Sequence, residues 1–182
     1  MQLDSDVIMG RLLHNRMGYT TKDTIPMLLG LKPEPWVGPM EEELLKRIPI
    51  GENVTRQEIM ADFPTGDEHR SLQRDIKYAM SNLERQMLVV KQFEDVAGRR
   101  RRLSLFHRVH DVYEPLDFES ALVDVIRRMG PVKGNTLRFY VTRSFEDLTI
   151  ALMNLEKSGR IAKVMALVPD PEAFYCMPEE AE

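Results

Sequence analysis

A single cysteine, Cys176, in 182 residues leaves no disulfide within the chain and fits a reducing compartment. Long apolar runs are also missing. No stretch approaches the roughly 18 residues that a membrane-spanning helix needs, and the first residues lack the basic-then-apolar order of a signal peptide. No glycine-rich loop is present to cradle phosphates. No sustained heptads mark a dimerisation helix, so a palindromic operator is not implied. These absences predict a cytoplasmic chain with no membrane partner and no cofactor. An excess of positive charge is lacking too. Lys and Arg number 25 against 29 Asp and Glu, a net charge of −4, which taken alone argues against a nucleic-acid partner.

The average conceals a gradient. Between Arg70 and His110 stand ten Lys/Arg and four acids, so this window carries +6 and the rest of the chain −10. A basic segment inside an acidic chain says more than the total.

What the chain does have is a repeat. Ala79, Asn82, Leu83, Glu84 and Arg85 recur 72 residues later as Ala151, Asn154, Leu155, Glu156 and Lys157, and Val89 recurs as Ile161. A helix that buries Ala and Leu and runs into a β-branched strand has been used twice. A chain of this length then divides into two modules, 39–114 and 115–182, after an N-terminal segment 1–38.

In segment 1–38, Val7, Ile8, Leu12 and Leu13 fit one face of a helix over Asp4 to Met17 that Gly18 stops. A second short helix is predicted from Thr24 to Leu29, ended by Gly30. This segment reads as a helical arm or as a third helix-turn-helix without a wing. Three prolines between Pro33 and Pro39 make a stiff connector, with Trp36 as its anchor to the first core.

The first module opens with a helix over Met40 to Ile48. Thr55-Arg-Gln-Glu58 is a capping box that starts a second. The third, about Glu68 to Arg85, carries the stripe Leu72, Ile76, Ala79, Met80 and Leu83. Strands over Leu88 to Phe93 and Leu103 to Val109 then form a hairpin. The second module repeats the order: Phe118 to Met129, Asn135 to Val141, a third helix capped by Ser144, then strands from Ile161 and from Ala173.

Helix, helix, helix, hairpin is the order of a winged helix, whose third helix lies in the major groove. The outward side of that helix in the first module holds Arg70, Gln73, Arg74 and Lys77. The arginines and lysine can contact phosphates or guanine edges, and Gln73 can pair with adenine. Any solvated helix also carries such residues. Arg99, Arg100, Arg101 and Arg102 at the hairpin tip add a second signal, because four adjacent guanidiniums repel one another and pack nothing. They suit the DNA backbone beside the groove, an edge protected from aggregation, or an acidic partner. The second module has Glu146, Asp147 and Glu156 on its third helix, which favours a supporting role or a protein partner.

Signs of catalysis are few. His107 and His110 point to opposite faces if both lie on a strand, a poor fit to a shared metal. Cys176 sits in an apolar strand as a small core residue, and the acids Glu41 to Glu43 complement a helix dipole.

Ala-x-x-Asn-Leu-Glu-Arg/Lys with its strand, Gly98-Arg-Arg-Arg-Arg-Leu-Ser-Leu-Phe-His-Arg108 and Arg128-Met-Gly-Pro-Val132 make the chain from about Met40 to Met177 resemble tandem winged-helix proteins. Two families fit: the winged-helix DNA glycosylases that unhook interstrand crosslinks, and the winged-helix portions of large helicase-related ATPases. The second implies an ATPase motor, for which 182 residues leave no room. The first implies a catalytic Gln-x-Gln or Gln-x-Asp. This chain departs from that pattern, with Gly30-Leu-Lys-Pro-Glu34 at the corresponding place, and Gln73-Arg74-Asp75 matches only in letters, midway along the third helix.

The expectation is a mainly α chain with small β-wings (α+β), two tandem winged helices preceded by a helical arm. It is a non-catalytic duplex-DNA-binding protein, a regulator or repair accessory, with no metal. A protein–protein adaptor and a glycosylase-like repair enzyme are the competing classes.

Overall fold

The computed structural model describes residues 7–13, 16–64, 66–95, 102–165 and 173–181. The chain divides into two compact units: Met1–Ile25 with Glu34–Glu114, and Pro26–Pro33 with Pro115–Glu182.

The first unit begins with two strands, β1 (Val7–Leu13) and β2 (Arg16–Thr21). After α1 (Ile25–Gly30) come α2 (Pro39–Lys46), β3 (Asn53–Thr55), α3 (Arg56–Met60), α4 (Arg70–Arg85), β4 (Val89–Asp95) and β5 (Arg102–Arg108). The sheet is antiparallel in the order β2-β1-β4-β5-β3. Its core joins Leu44 and Ile48, Ile59 of α3, Ile76, Ala79 and Leu83 of α4, and Leu88, Val89 and Phe106. The capping box forms as its letters require: Thr55 Oγ1 accepts from the Glu58 N–H, and Glu58 accepts from the Thr55 N–H. Those bonds hold the Glu58 carboxyl below its usual range.

The second unit contains most of α1, then α5 (Phe118–Met129), β6 (Val132–Lys133), α6 (Gly134–Tyr140), α7 (Phe145–Lys157), β7 (Ala162–Met165) and β8 (Ala173–Cys176). Its sheet runs β6-β8-β7. α1 ends at Gly30 as expected, and close approach gives a second reason for a glycine there. A Cβ there would lie 2.3 Å from the Leu116 carbonyl oxygen, beside the bond from Leu116 N–H to Pro26 O.

Each unit thus repeats helix, strand, helix, helix, strand, strand, with the short strand paired to the last one (β3 to β5, β6 to β8). The repeated residues have structural work. Ala79 and Ala151, Leu83 and Leu155 are buried in their cores. Asn82 donates to Glu41 of α2 at 3.1 Å, and Asn154 donates to Glu119 of α5 at 3.3 Å, so each Asn clamps the third helix to the first. Both third helices end in a Schellman motif. Leu88 N–H donates to Leu83 O and Met87 N–H to Glu84 O; 72 residues on, Arg160 N–H donates to Leu155 O and Gly159 N–H to Glu156 O. The left-handed residue is Gly159 (φ 70°) in one copy and Met87 (φ 57°) in the other. A methionine there costs about 1–2 kcal/mol, which its complete burial offsets.

The helical arm is corrected. Segment 1–38 carries a β-hairpin where a helix over Asp4 to Met17 was expected, while the α+β class holds, with antiparallel sheets. Val7, Ile8, Leu12 and Leu13 fit a helical face, but Gly10 weakens a helix interior. In the hairpin Gly10 sits opposite Gly18, Ile8 is buried, and Met9 pairs with Lys91, which adds two strands to β3, β4 and β5 and makes a five-stranded sheet. Trp36 is also corrected. Its ring is exposed, and the anchor is its backbone: Trp36 N–H donates to Gln86 Oε1 and Trp36 O accepts from Gln86 Nε2.

Candidate nucleic-acid interface

An amphipathic pattern sets the orientation of α4. With Ile76, Ala79 and Leu83 turned into the core, the 100° step per residue carries Arg70, Arg74 and Lys77 toward the opposite side and leaves Gln73 on the flank; all four are exposed. Arg70 is held by Asp67, which accepts from its Nε and Nη2 at 3.1 and 2.9 Å. Both side chains face water, so this pair stabilises little and yields readily to a phosphate. Arg74 and Lys77 have no ion-pair partner among the described residues. Tyr78 lies beside them, 63% exposed. Arg99, Arg100 and Arg101 fall outside the described residues. Arg102 opens β5, its backbone in register with Asp95.

The equivalent face of α7 is built differently. Gln73, Arg74, Lys77, Tyr78 and Ser81 correspond, 72 residues on, to Phe145, Glu146, Thr149, Ile150 and Met153. Phe145, Ile150 and Met153 are at least half exposed, and the Arg138 guanidinium stacks 4.7 Å from the Phe145 ring. The basic face belongs to the first unit.

Beneath Lys77 lies a feature that sequence reasoning missed. A cavity of about 220 Å³ opens between α3, α4 and the β4–β5 hairpin. At its back, Lys91 Nζ bonds the buried Glu84 carboxylate at 2.7 Å and sits 5.3 Å from the Phe106 ring centre. In the sequence, Glu84 and Lys91 look like ordinary solvated charges. Only strand pairing beside the end of α4 brings them together.

Lys32 was likewise missed as a titratable group. It is 7% exposed in the second unit, and burial lowers its pKa to about 8. Its place, within Gly30 to Glu34, is where the resemblance would put glutamine. Cys176 is buried, and burial pushes its thiol pKa up, which leaves it a weak nucleophile. Nδ1 of His107 lies 3.2 Å from the Glu52 carbonyl oxygen. Among the described residues no group of three or more His, Cys, Asp or Glu could hold a metal, and no helix is long and apolar enough to cross a membrane.

No family model matches the chain, and comparison with curated proteins gives no significant match. Among solved structures, the Streptomyces sahachiroi DNA glycosylase AlkZ superposes with a TM-score of 0.64 at 15% identity over 98% of this chain. The chain spans 54% of that protein's length. The expectation of a non-catalytic protein is corrected by this neighbour, since the fold it shares with the chain is that of an enzyme.

Proposed function

We propose that the chain is a DNA-binding repair protein of the DNA glycosylase kind, built from two tandem winged helices over 39–114 and 115–182. The supporting observation is the face of α4, where Arg70, Arg74 and Lys77 stand exposed along one side of a helix packed on a sheet. A helix of this shape fits the major groove, its cations meet phosphates or guanine edges, and Gln73 can pair with adenine. Arg99, Arg100 and Arg101, which lie between β4 and β5 in the sequence, and Arg102, which opens β5, add contacts to the flanking backbone. The likeness to a DNA glycosylase at 15% identity supports the architecture. From it the reading takes the reaction class: hydrolysis of the bond between a damaged base and its sugar, leaving an abasic site.

The α4 interface is tested by the salt dependence of binding to a duplex. Each phosphate contact contributes about 0.9 to the slope of log affinity against log salt. Arg74→Ala with Lys77→Ala should therefore flatten the slope by roughly 1.8 if both touch backbone. An unchanged slope in the folded double variant removes α4 from the interface.

A further inference from the structure

Each unit has a cavity beside its third helix, and the differences between the two separate what the fold requires from what it does not. The second unit has a cavity of about 430 Å³ between α7 and its sheet. Six of its lining positions lie 72 residues beyond those of the first: Leu148 for Ile76, Thr149 for Lys77, Leu152 for Met80, Met153 for Ser81, Glu156 for Glu84 and Lys163 for Lys91. The apolar floor recurs, so it belongs to the fold. Glu156 and Lys163 hold the positions of Glu84 and Lys91, but both are exposed and no ion pair joins them, so the buried Glu84–Lys91 pair is particular to the first unit. The cations at the mouth are placed differently: the second cavity has Lys133, whose ammonium lies 5.5 Å from the Phe174 ring centre. Lys77 is matched by Thr149, and Arg56, which opens α3, by Gly134, which opens α6.

Arg56 and Lys77 are both exposed and have no ion-pair partner among the described residues. Between them the cavity is walled by the half-buried Met60 and Met80, with the Phe106 ring below. Thioethers adapt to a flat ring, and an aromatic edge or face completes the enclosure. The charge count is clear. Lys91 is neutralised by Glu84 at 2.7 Å, so the mouth carries two uncompensated positive charges over an apolar floor. The complementary ligand is flat and weakly polar in its body and anionic on both sides. One nucleotide within a strand has that chemistry: its base fits the floor, and its two flanking phosphates meet the cations. Lys77 also belongs to the α4 face, so a strand lying there passes the opening.

We infer that the cavity between α3, α4 and the β4–β5 hairpin receives one unstacked base of the bound DNA, with its flanking phosphates on Arg56 and Lys77. This inference rests on the DNA-binding reading above. Unstacking is cheapest for a base that is already unpaired, so a duplex with a single bulged base should bind more tightly than its fully paired counterpart.

The experiment compares the two duplexes by fluorescence anisotropy for the wild type, Met60→Trp and Arg56→Ala, with circular dichroism to establish folding. The wild type should prefer the bulged duplex by about tenfold. An indole at position 60 fills the cavity and should bring the ratio close to one. Arg56→Ala changes an exposed side chain and should lower the ratio without unfolding the chain. Equal binding of both duplexes by the wild type overturns the inference while leaving the α4 reading intact, and so does a preference that survives in folded Met60→Trp and Arg56→Ala. If the wild type binds neither duplex at low salt, the DNA-binding reading fails, and this inference with it.

Discussion

Lys32 provides a test of the fold that is independent of any ligand. Its ammonium is 7% exposed, and burial lowers its pKa from 10.5 to about 8. The folded state therefore binds this proton less tightly than the unfolded state. Between pH 8 and 10.5 the unfolded chain holds more protons, so stability rises with pH across that window, and the penalty is fully present below it. At about 1.4 kcal/mol per pKa unit, the shift corresponds to roughly 3 kcal/mol. Cys176 opposes it: its thiol is pushed up by burial, so its contribution falls as pH rises. Comparing the wild type with Lys32→Met cancels the Cys176 contribution, as well as any pH-independent change from the new side chain. Urea denaturation at fixed ionic strength, stepped from pH 7 to 10.5, should show the difference between the two proteins shrinking by roughly 3 kcal/mol. A difference that stays flat within about 0.5 kcal/mol refutes the buried ammonium.

Replacing Arg99, Arg100, Arg101 and Arg102 with alanine should flatten the salt slope of DNA binding by roughly 2 to 3, with affinity falling alike on every sequence. Gel-shift titrations at several salt concentrations measure this, and an unchanged slope places the four arginines off the backbone. Gly159→Ala should cost about 1 kcal/mol in urea denaturation, since φ is 70° with nothing within 4 Å of the added methyl, leaving backbone conformation as the only penalty. Met87→Gly relieves the same strain but empties a fully buried site, so it should destabilise by about 2 kcal/mol or more. If it instead stabilises the protein, the burial of Met87 does not offset its backbone.

Periodicity and caps made most of the two repeated units legible. The stripe of α4, the boxes at Thr55 and Ser144, and the 72-residue repeat each reflect local chemistry whose period or spacing survives in one dimension. The hairpin at 7–21 was not legible, because Val7, Ile8, Leu12 and Leu13 satisfy a helical period while their pairing depends on a strand more than 70 residues away, at Lys91. Long-range pairing also created the cavity. Glu84 and Lys91 meet only because α4 ends in a tight turn that feeds β4 back beside it. Exposure on α4 could be read from the sequence, since Arg70, Arg74 and Lys77 follow from where Ile76 and Leu83 must point. The burial of Lys32 could not, because it depends on a short segment packing within a unit whose other residues begin at Pro115.

Base release tests the central claim most directly. Purified protein is incubated with alkylated and with interstrand-crosslinked duplex, and abasic sites are counted by strand cleavage in alkali, beside undamaged duplex of the same sequence. A DNA glycosylase converts the damaged strands to abasic sites over many turnovers and leaves the undamaged duplex whole. Tight, salt-dependent binding that leaves every damaged base in place contradicts the enzymatic reading.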